Sequence, residues 1–259
     1  MAEAWRLIID GQLNGALNMA LDRAGQLARQ EGLVPPTLRL YGWVRPTVSL
    51  GRFQSAADVD SDVAHAAGVD VVRRSTGGRG VLHDDEVTYS VIAAVEDGVP
   101  EGVAASYRHL SGALAAAYDL LGLHAVVGDG KAPGHGSPAC YLSSTGADLA
   151  VAGRKLSGSA QVWSGGTVLQ HGSFVRSRDV ALEARLFRLD DEARRRLTTD
   201  TMTLSSTDES DVPTVDRIRD SVVEGFHTAL GITLVPGEWS AFEASIAAGL
   251  LRSQPDTLA

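Results

Sequence analysis

The turn Gly77-Gly78-Arg79-Gly80, set between two β-forming runs in RRSTGGRGVLHDDEVTYSV (73–91), constrains this chain more than any other segment. Glycine lacks a Cβ, so main-chain N–H groups can converge on one point and a ligand can approach the backbone closely. The chain leaves a strand at Arg73-Arg74, crosses the turn and re-enters a strand. Arginines beside such a turn favour an anionic or carbonyl-bearing group. A hairpin turn accounts for one or two of the glycines, but not for the arginines together with His83 and Asp84. The segment has neither the Gly-Lys-Ser/Thr of a P-loop nor the spacing G-x-G-x-x-G.

Around this turn the chain alternates helical and β-like stretches. Leu17, Leu21, Ala24 and Leu27 recur at helical spacing and predict an amphipathic helix over 15–30. Short β-rich runs follow at 37–43, 47–51 and 69–74, punctuated by Gly, Pro and Asp, and 86–96 reads as a buried strand. Residues 103–122 form a helix closed by Gly122. The stretch 128–140, with four glycines and two prolines, is a loop, and long loops in compact domains are often functional. Strands are expected at 147–153, 154–163 and 167–175, the last two joined by a tight turn at Gly165-Gly166. Helices follow at 179–188, 189–197, 214–230 and about 238–251, the last two flanking the β-like ITLV. The stretch 203–213 reads as an exposed connection. The residues beyond it are too few for an independent core, so 1–259 reads as one α/β unit with 214–259 as a helical C-terminal extension packed on it.

Composition narrows the function classes. A net charge of −9 argues against nonspecific nucleic-acid binding. The longest apolar runs, such as VIAAV, are far too short to span a bilayer. The opening MAEAWRLIIDG has no basic segment followed by an apolar run, so no signal peptide is expected. A single cysteine allows no internal disulfide and suits a reducing compartment, giving a cytoplasmic expectation.

That cysteine, Cys140, lies fifteen positions before Lys155 in PACYLSSTGADLAVAGRKLSGSAQ. A thiol and an ammonium in glycine-rich settings can serve as a nucleophile and its electrostatic activator. A lone cysteine also serves as a small buried hydrophobe, and a strand lysine as part of a solvated face. Gly153, Gly158 and Ser159 are small residues beside which a ligand can pass. His135 and His171 have no paired Cys/His spacing, so no metal site is expected.

The segment RRSTGGRGVLHDDEVTYSV resembles the signature of the biotin/lipoate protein ligase superfamily, and three further blocks agree in the family's order. VRPTVSLGRFQ (44–54) resembles the strand and Gly-Arg-Phe/Tyr-Gln turn of lipoate ligases. GRKLSGSAQ (153–161) resembles the block bearing their acyl-carbonyl lysine, and QHGSF (170–174) the strand that closes the acyl tunnel. The resemblance implies the catalytic-domain fold of that superfamily, a mixed, largely antiparallel β-sheet flanked by helices. Where the ligases typically have three consecutive glycines, this chain has Gly77-Gly78-Arg79. In that respect it resembles the cysteine-dependent octanoyltransferases of lipoate assembly whose cysteine precedes the lysine block. Ligases of the superfamily need no cysteine and usually carry an accessory domain for adenylation, for which these residues leave no room.

The resemblance implies an octanoyl-[acyl-carrier-protein]:protein N-octanoyltransferase. It would take the acyl group from octanoyl-acyl carrier protein onto Cys140, assisted by Lys155. From there the group passes to a lysine of lipoyl-domain proteins such as the glycine cleavage H protein or 2-oxoacid dehydrogenase E2. Arg74, Thr76, Gly77, Gly78, Arg79, His83, Ser157, Gly158, Ser159, His171 and Gly172 would bind substrate, with backbone N–H groups of both glycine turns facing the oxyanion. No cofactor is expected. ATP and Mg enter only under the alternative of an ATP-dependent lipoate ligase, and an amidotransferase acting between lipoyl-carrying proteins is a further alternative. His83 stands equally as a base for the acceptor lysine and as a hydrogen-bonded structural histidine. Leu82, Val91 and Leu169 are candidates for an acyl slot, and plain core otherwise. The arginines at 185, 188, 194, 195 and 196 form a solvated helix face that could also dock an acidic carrier protein.

Overall fold

The computed structural model describes residues 4–128, 137–142, 148–206 and 212–253. Its elements run β1 (Trp5–Leu13), α1 (Gly15–Gln30), β2 (Thr37–Trp43), β3 (Thr47–Leu50), α2 (Ser61–Ala66), β4 (Asp70–Arg73), β5 (Val81–His83), β6 (Glu86–Ala94) and α3 (Val103–Leu120). They continue with β7 (Val126–Val127), β8 (Leu149–Val151), β9 (Arg154–Ser157), β10 (Ser159–Ser164), β11 (Thr167–Val175), α4 (Val180–Leu186), α5 (Asp191–Thr199), α6 (Val215–Leu230), β12 (Leu234–Pro236) and α7 (Ala241–Ser253). Most of the loop expected at 128–140, the middle of the connection expected at 203–213, Ala147 and His135 lie outside the described residues.

Six strands form the main sheet in the order β10-β11-β6-β2-β1-β12. Its β10-β11-β6-β2 half is antiparallel, while β1 pairs in parallel with both β2 and β12. The expected mixed, largely antiparallel α/β architecture is therefore what the chain adopts. Strand β6 is buried at all nine positions, with alternate residues serving opposite faces. Val87, Tyr89, Val91 and Ala93 join Leu110, Leu114 and Tyr118 of α3 and Ile218, Val222 and Phe226 of α6 in the main core. The other face carries Thr88 and Ser90 toward α1, whose start is capped by the Asn14 side chain accepting from Leu17 N–H. Helix α7 packs on α1 through Ala247.

Two small sheets flank the main one and carry the chemistry-bearing segments. In the first, ordered β4-β3-β5, β3 is parallel to β4 and antiparallel to β5, so the turn at 77–80 joins two strands fixed to a common partner. The second, ordered β7-β8-β9, carries Lys155 on β9.

Two elements differ from expectation. The strand expected over 154–163 is two strands that belong to different sheets, β9 and β10, parted at Gly158. A Cβ there would stand 3.2 Å from Lys155 Nζ and 3.3 Å from Asp148 Oδ1, so a bare backbone is what lets the chain change sheets beside that lysine. The sequence reading also gives no strand before residue 15, whereas β1 is an internal strand of the main sheet, between β2 and the edge strand β12. Its first four positions are buried and the next five mostly are not, so neither a strict alternation nor a long apolar run marks it.

Candidate active site

A cavity of about 570 Å³ opens where β5, β6, β9, β10 and β11 meet the turn at 77–80 and the segment bearing Cys140. Much of its wall is apolar or aromatic: Met19, Tyr41, Trp43, Val81, Tyr107 and Tyr141. Such a volume and lining suit a small apolar ligand with one polar end.

Arg74 organises the turn. Its guanidinium is buried and donates to the carbonyl oxygens of Gly77 (2.8 Å) and Arg79 (2.8 Å), and to Ser49 O at 2.6 Å. Gly78 adopts a left-handed φ of +93°, which a side chain would resist. The turn also packs tightly on the residue after β3: a Cβ on Gly51 would lie 2.0 Å from Gly78 O. Burial lowers the Arg74 guanidinium to about 10, with the charge of Cys140 acting in the opposite direction. It therefore stays cationic at neutral pH.

Cys140 is held against this turn by main-chain bonds. Its N–H donates to Gly80 O at 2.8 Å, Gly80 N–H donates to Pro138 O at 3.0 Å, and Gly80 bridges Ala139 in parallel. Lys155, on β9, reaches from the other side. Its Nζ lies 3.2 Å from Cys140 O and 2.9 Å from Asp148 Oδ2, with Lys155 and Asp148 both buried. Asp148 precedes β8, the strand that pairs with β9, which places the carboxylate beside the ammonium.

Two histidines of the cavity wall have matching arrangements. His171 Nδ1 lies 3.1 Å from Asp22 Oδ2 and its Nε2 2.7 Å from Thr76 Oγ1. His83 Nδ1 lies 2.8 Å from Glu86 Oε1 and its Nε2 2.8 Å from Ser49 Oγ, with the ring stacked on Trp43. A carboxylate only accepts, so each Nδ1 carries a hydrogen; at His171, where burial favours the neutral ring, Nε2 accepts from the Thr76 hydroxyl. Arg74 closes both chains, since its Nε donates to Thr76 Oγ1 at 3.1 Å and its Nη1 to Ser49 Oγ at 3.2 Å. Burial lowers the pKa of His171, against the pull of Asp22. Burial alone would raise that of Asp22, but Arg39, whose Nη1 lies 2.8 Å away, and His171 hold it below the usual carboxylate range. Glu86 is likewise held low despite its burial, by His83 first and then by hydroxyl donors.

The structure brings most of the sequence candidates together. Cys140, Lys155, Arg74, Gly77, Gly78, Arg79, His83, Gly158, Ser159, His171 and Gly172 all line the cavity. Thr76 and Ser157 do not: Thr76 is a link between Arg74 and His171, and the Ser157 hydroxyl donates to Ser173 O at 3.2 Å. Of the acyl-slot candidates, Val91 and Leu169 are core positions of the main sheet, and Leu82 packs on the core of the β4-β3-β5 sheet. Among the arginines at 185–196, Arg188, Arg195 and Arg196 are paired with Asp60, Glu192 and Asp200. Sequence reasoning passed over Asp148, Tyr107, Tyr41 and Trp43. A period-two reading of 37–43, which sets Arg39, Tyr41 and Trp43 on one face, would have found the last two.

A family model described as Lipoyl protein ligase A/B catalytic domain matches residues 14–227. The chain is 41% identical to Octanoyltransferase LipM of Kyrpidia tusciae over 96% of its own length and 95% of the relative's. It is 40% identical to Octanoyltransferase LipM of Symbiobacterium thermophilum over 98% and 96%. In fold it is similar to a lipoate-protein ligase A bound with ATP, with a TM-score of 0.82 at 22% identity over 97% of this chain and 96% of that one. It is also similar to a bi-partite lipoate protein ligase from Thermoplasma acidophilum, described with its E2 lipoyl domain, at a TM-score of 0.77 and 22% identity over 97% and 93%.

Proposed function

We infer the reaction from membership and site together: this chain belongs to the lipoyl protein ligase A/B catalytic domain family, and it is an acyltransferase. The group it moves is octanoyl, and the acceptor is a lysine of lipoyl-domain proteins such as the glycine cleavage H protein or 2-oxoacid dehydrogenase E2. The donor is octanoyl-acyl carrier protein. One observation carries the reading: the only cysteine of the chain and the buried Lys155 meet in a largely apolar cavity, with Nζ 3.2 Å from the cysteine's own carbonyl.

The Cys140 thiolate adds to the thioester carbonyl carbon, and the C=O π pair moves onto oxygen. Collapse of this tetrahedral species re-forms C=O and expels the carrier's thiolate, which takes up a proton. Cys140 then holds the octanoyl group as a thioester. The neutral amine of the acceptor lysine attacks that thioester next, loses its proton and releases Cys140 as the thiolate, leaving an amide. One thioester is exchanged for another in the first half, so no nucleotide is consumed. Lys155 Nζ, 3.2 Å from the Cys140 carbonyl, serves as a hydrogen-bond donor toward the tetrahedral oxyanion, and removal of one such preorganised donor typically costs about 2.7–4 kcal/mol. Both ring nitrogens of His83 are occupied, which supports its role as a positioned structural histidine rather than a free base.

The protein incubated with octanoyl-acyl carrier protein and no nucleotide should gain one octanoyl group on Cys140 by mass spectrometry, and lose it when a lipoyl domain is added. Absence of the adduct, or undiminished transfer by Cys140→Ser, overturns the reading. A requirement for ATP and free lipoate would make the protein a ligase. Loading only from an octanoylated lipoyl protein would make it an amidotransferase.

A further inference from the structure

The cavity holds two buried cations, and they differ in their company. Lys155 faces a carboxylate at 2.9 Å, so the pair with Asp148 brings little net charge to the site. Arg74 is buried equally well, yet its hydrogen bonds all end on neutral oxygens: Thr76 Oγ1, Gly77 O, Ser49 O, Ser49 Oγ and Arg79 O. Among the described residues no carboxylate forms an ion pair with it. A buried charge without a counter-charge is costly to hold, and it raises the local potential for any anion that comes near. The residue after Arg79, Gly80, accepts the Cys140 N–H, so the guanidinium braces the strand of backbone on which the cysteine sits.

We propose that Arg74 is the positioning residue whose buried charge makes the Cys140 pocket anion-seeking and sustains the negative sulfur, while Lys155 is reserved by Asp148. The inference rests on Cys140 being the nucleophile of the transfer reaction. It assigns the electrostatic work to a side chain that does not touch the reacting atoms. It acts through the field, and through the carbonyls of the glycine turn.

Because Cys140 is the only cysteine in the chain, its alkylation can be followed on the whole protein with no acyl donor present. Iodoacetate is an anion, iodoacetamide a neutral reagent of similar size. In the native protein the ratio of their rates should favour iodoacetate compared with the same ratio for free cysteine. Arg74→Gln should lower the ratio at least fivefold, and Arg74→Lys should keep most of it. A merely structural disturbance would slow both reagents alike and leave the ratio where it was. The double variant Lys155→Met/Asp148→Asn, which removes a cation and an anion together, should hold the ratio within twofold of the native value.

An unchanged ratio in folded Arg74→Gln overturns the proposal, as does collapse of the ratio in the double variant. Should Arg74→Gln not fold, the double variant decides alone. Failure of octanoyl loading would leave these rates readable, so the two readings fail separately.

Discussion

Lys155 Nζ and Asp148 Oδ2 lie 2.9 Å apart with both side chains less than a tenth exposed. Breaking such a buried pair by removing one partner typically costs about 3–5 kcal/mol, because the remaining charge is stranded. Asp148→Asn should therefore destabilise the protein by several kcal/mol, and Lys155→Met on top of it should return much of that loss. Denaturant unfolding of the two single variants and the double closes the cycle. Additive losses would mean that the pair is not coupled.

The tight packing of Gly51 on Gly78 separates two glycines that look alike in sequence. Gly51→Ala places a methyl 2.0 Å from Gly78 O, a backbone atom that cannot swing away. The turn must shift, and a cost of about 1–3 kcal/mol or more is expected. Gly77→Ala meets nothing within 4 Å, so stability should stay within about 0.5 kcal/mol of the native protein. If substrate passes over Gly77, kcat/KM in Gly77→Ala falls while the thermal midpoint holds. Unchanged turnover would place the acyl path elsewhere.

Acid should weaken the fold in two stages. His171 is neutral in the folded chain because burial lowers its pKa from 6.5, so the unfolded chain binds that proton more readily. Its contribution is complete above 6.5 and is lost as pH falls from there. Asp22 is held below 3.8, against its burial, by Arg39 and His171. Its contribution is present above 3.8 and lost as pH falls further. Thermal midpoints measured from pH 7 to pH 3 should decline first below 6.5 and again below 3.8, and His171→Gln should show a flatter decline between pH 7 and 5. A midpoint independent of pH in the native protein would contradict the assignment.

The lining of Met19, Tyr41, Trp43 and Val81 predicts selection by chain length. Each buried methylene is worth about 0.8 kcal/mol, so a hexanoyl donor should lose about 1.6 kcal/mol, roughly fifteenfold in kcat/KM against octanoyl. Competition between the two donors for one acceptor domain measures the ratio directly. Equal use of both would show that the tail does not enter the cavity.

The sequence made local chemistry legible and left remote partnerships hidden. Gly77, Gly78, Cys140 and Lys155 stand out by residue type and spacing, and the cavity gathers all four. Asp148 does not stand out, because its meaning comes from a strand pairing that only the folded chain displays. The same holds for Asp22, which meets His171 from 149 positions away. Thr76 was legible as a site residue but not as a strut between Arg74 and His171. The division of 154–163 into two strands was invisible for a related reason: the β-forming run is continuous through Gly158, and only the sheets on either side differ.

The Cys140 backbone is held by Gly80 and Pro138 through main-chain bonds and by Lys155 Nζ on its carbonyl, contacts in which the Cys140 side chain takes no part. Location and reactivity are therefore separable properties at this point of the chain. Any side chain that fits can occupy the place without the backbone learning of the change. If Cys140 carries the acyl group as proposed, Cys140→Ala should keep the native thermal midpoint and still bind donor and acceptor, but give no octanoylated product. It is the form in which encounter complexes can be caught and studied at leisure.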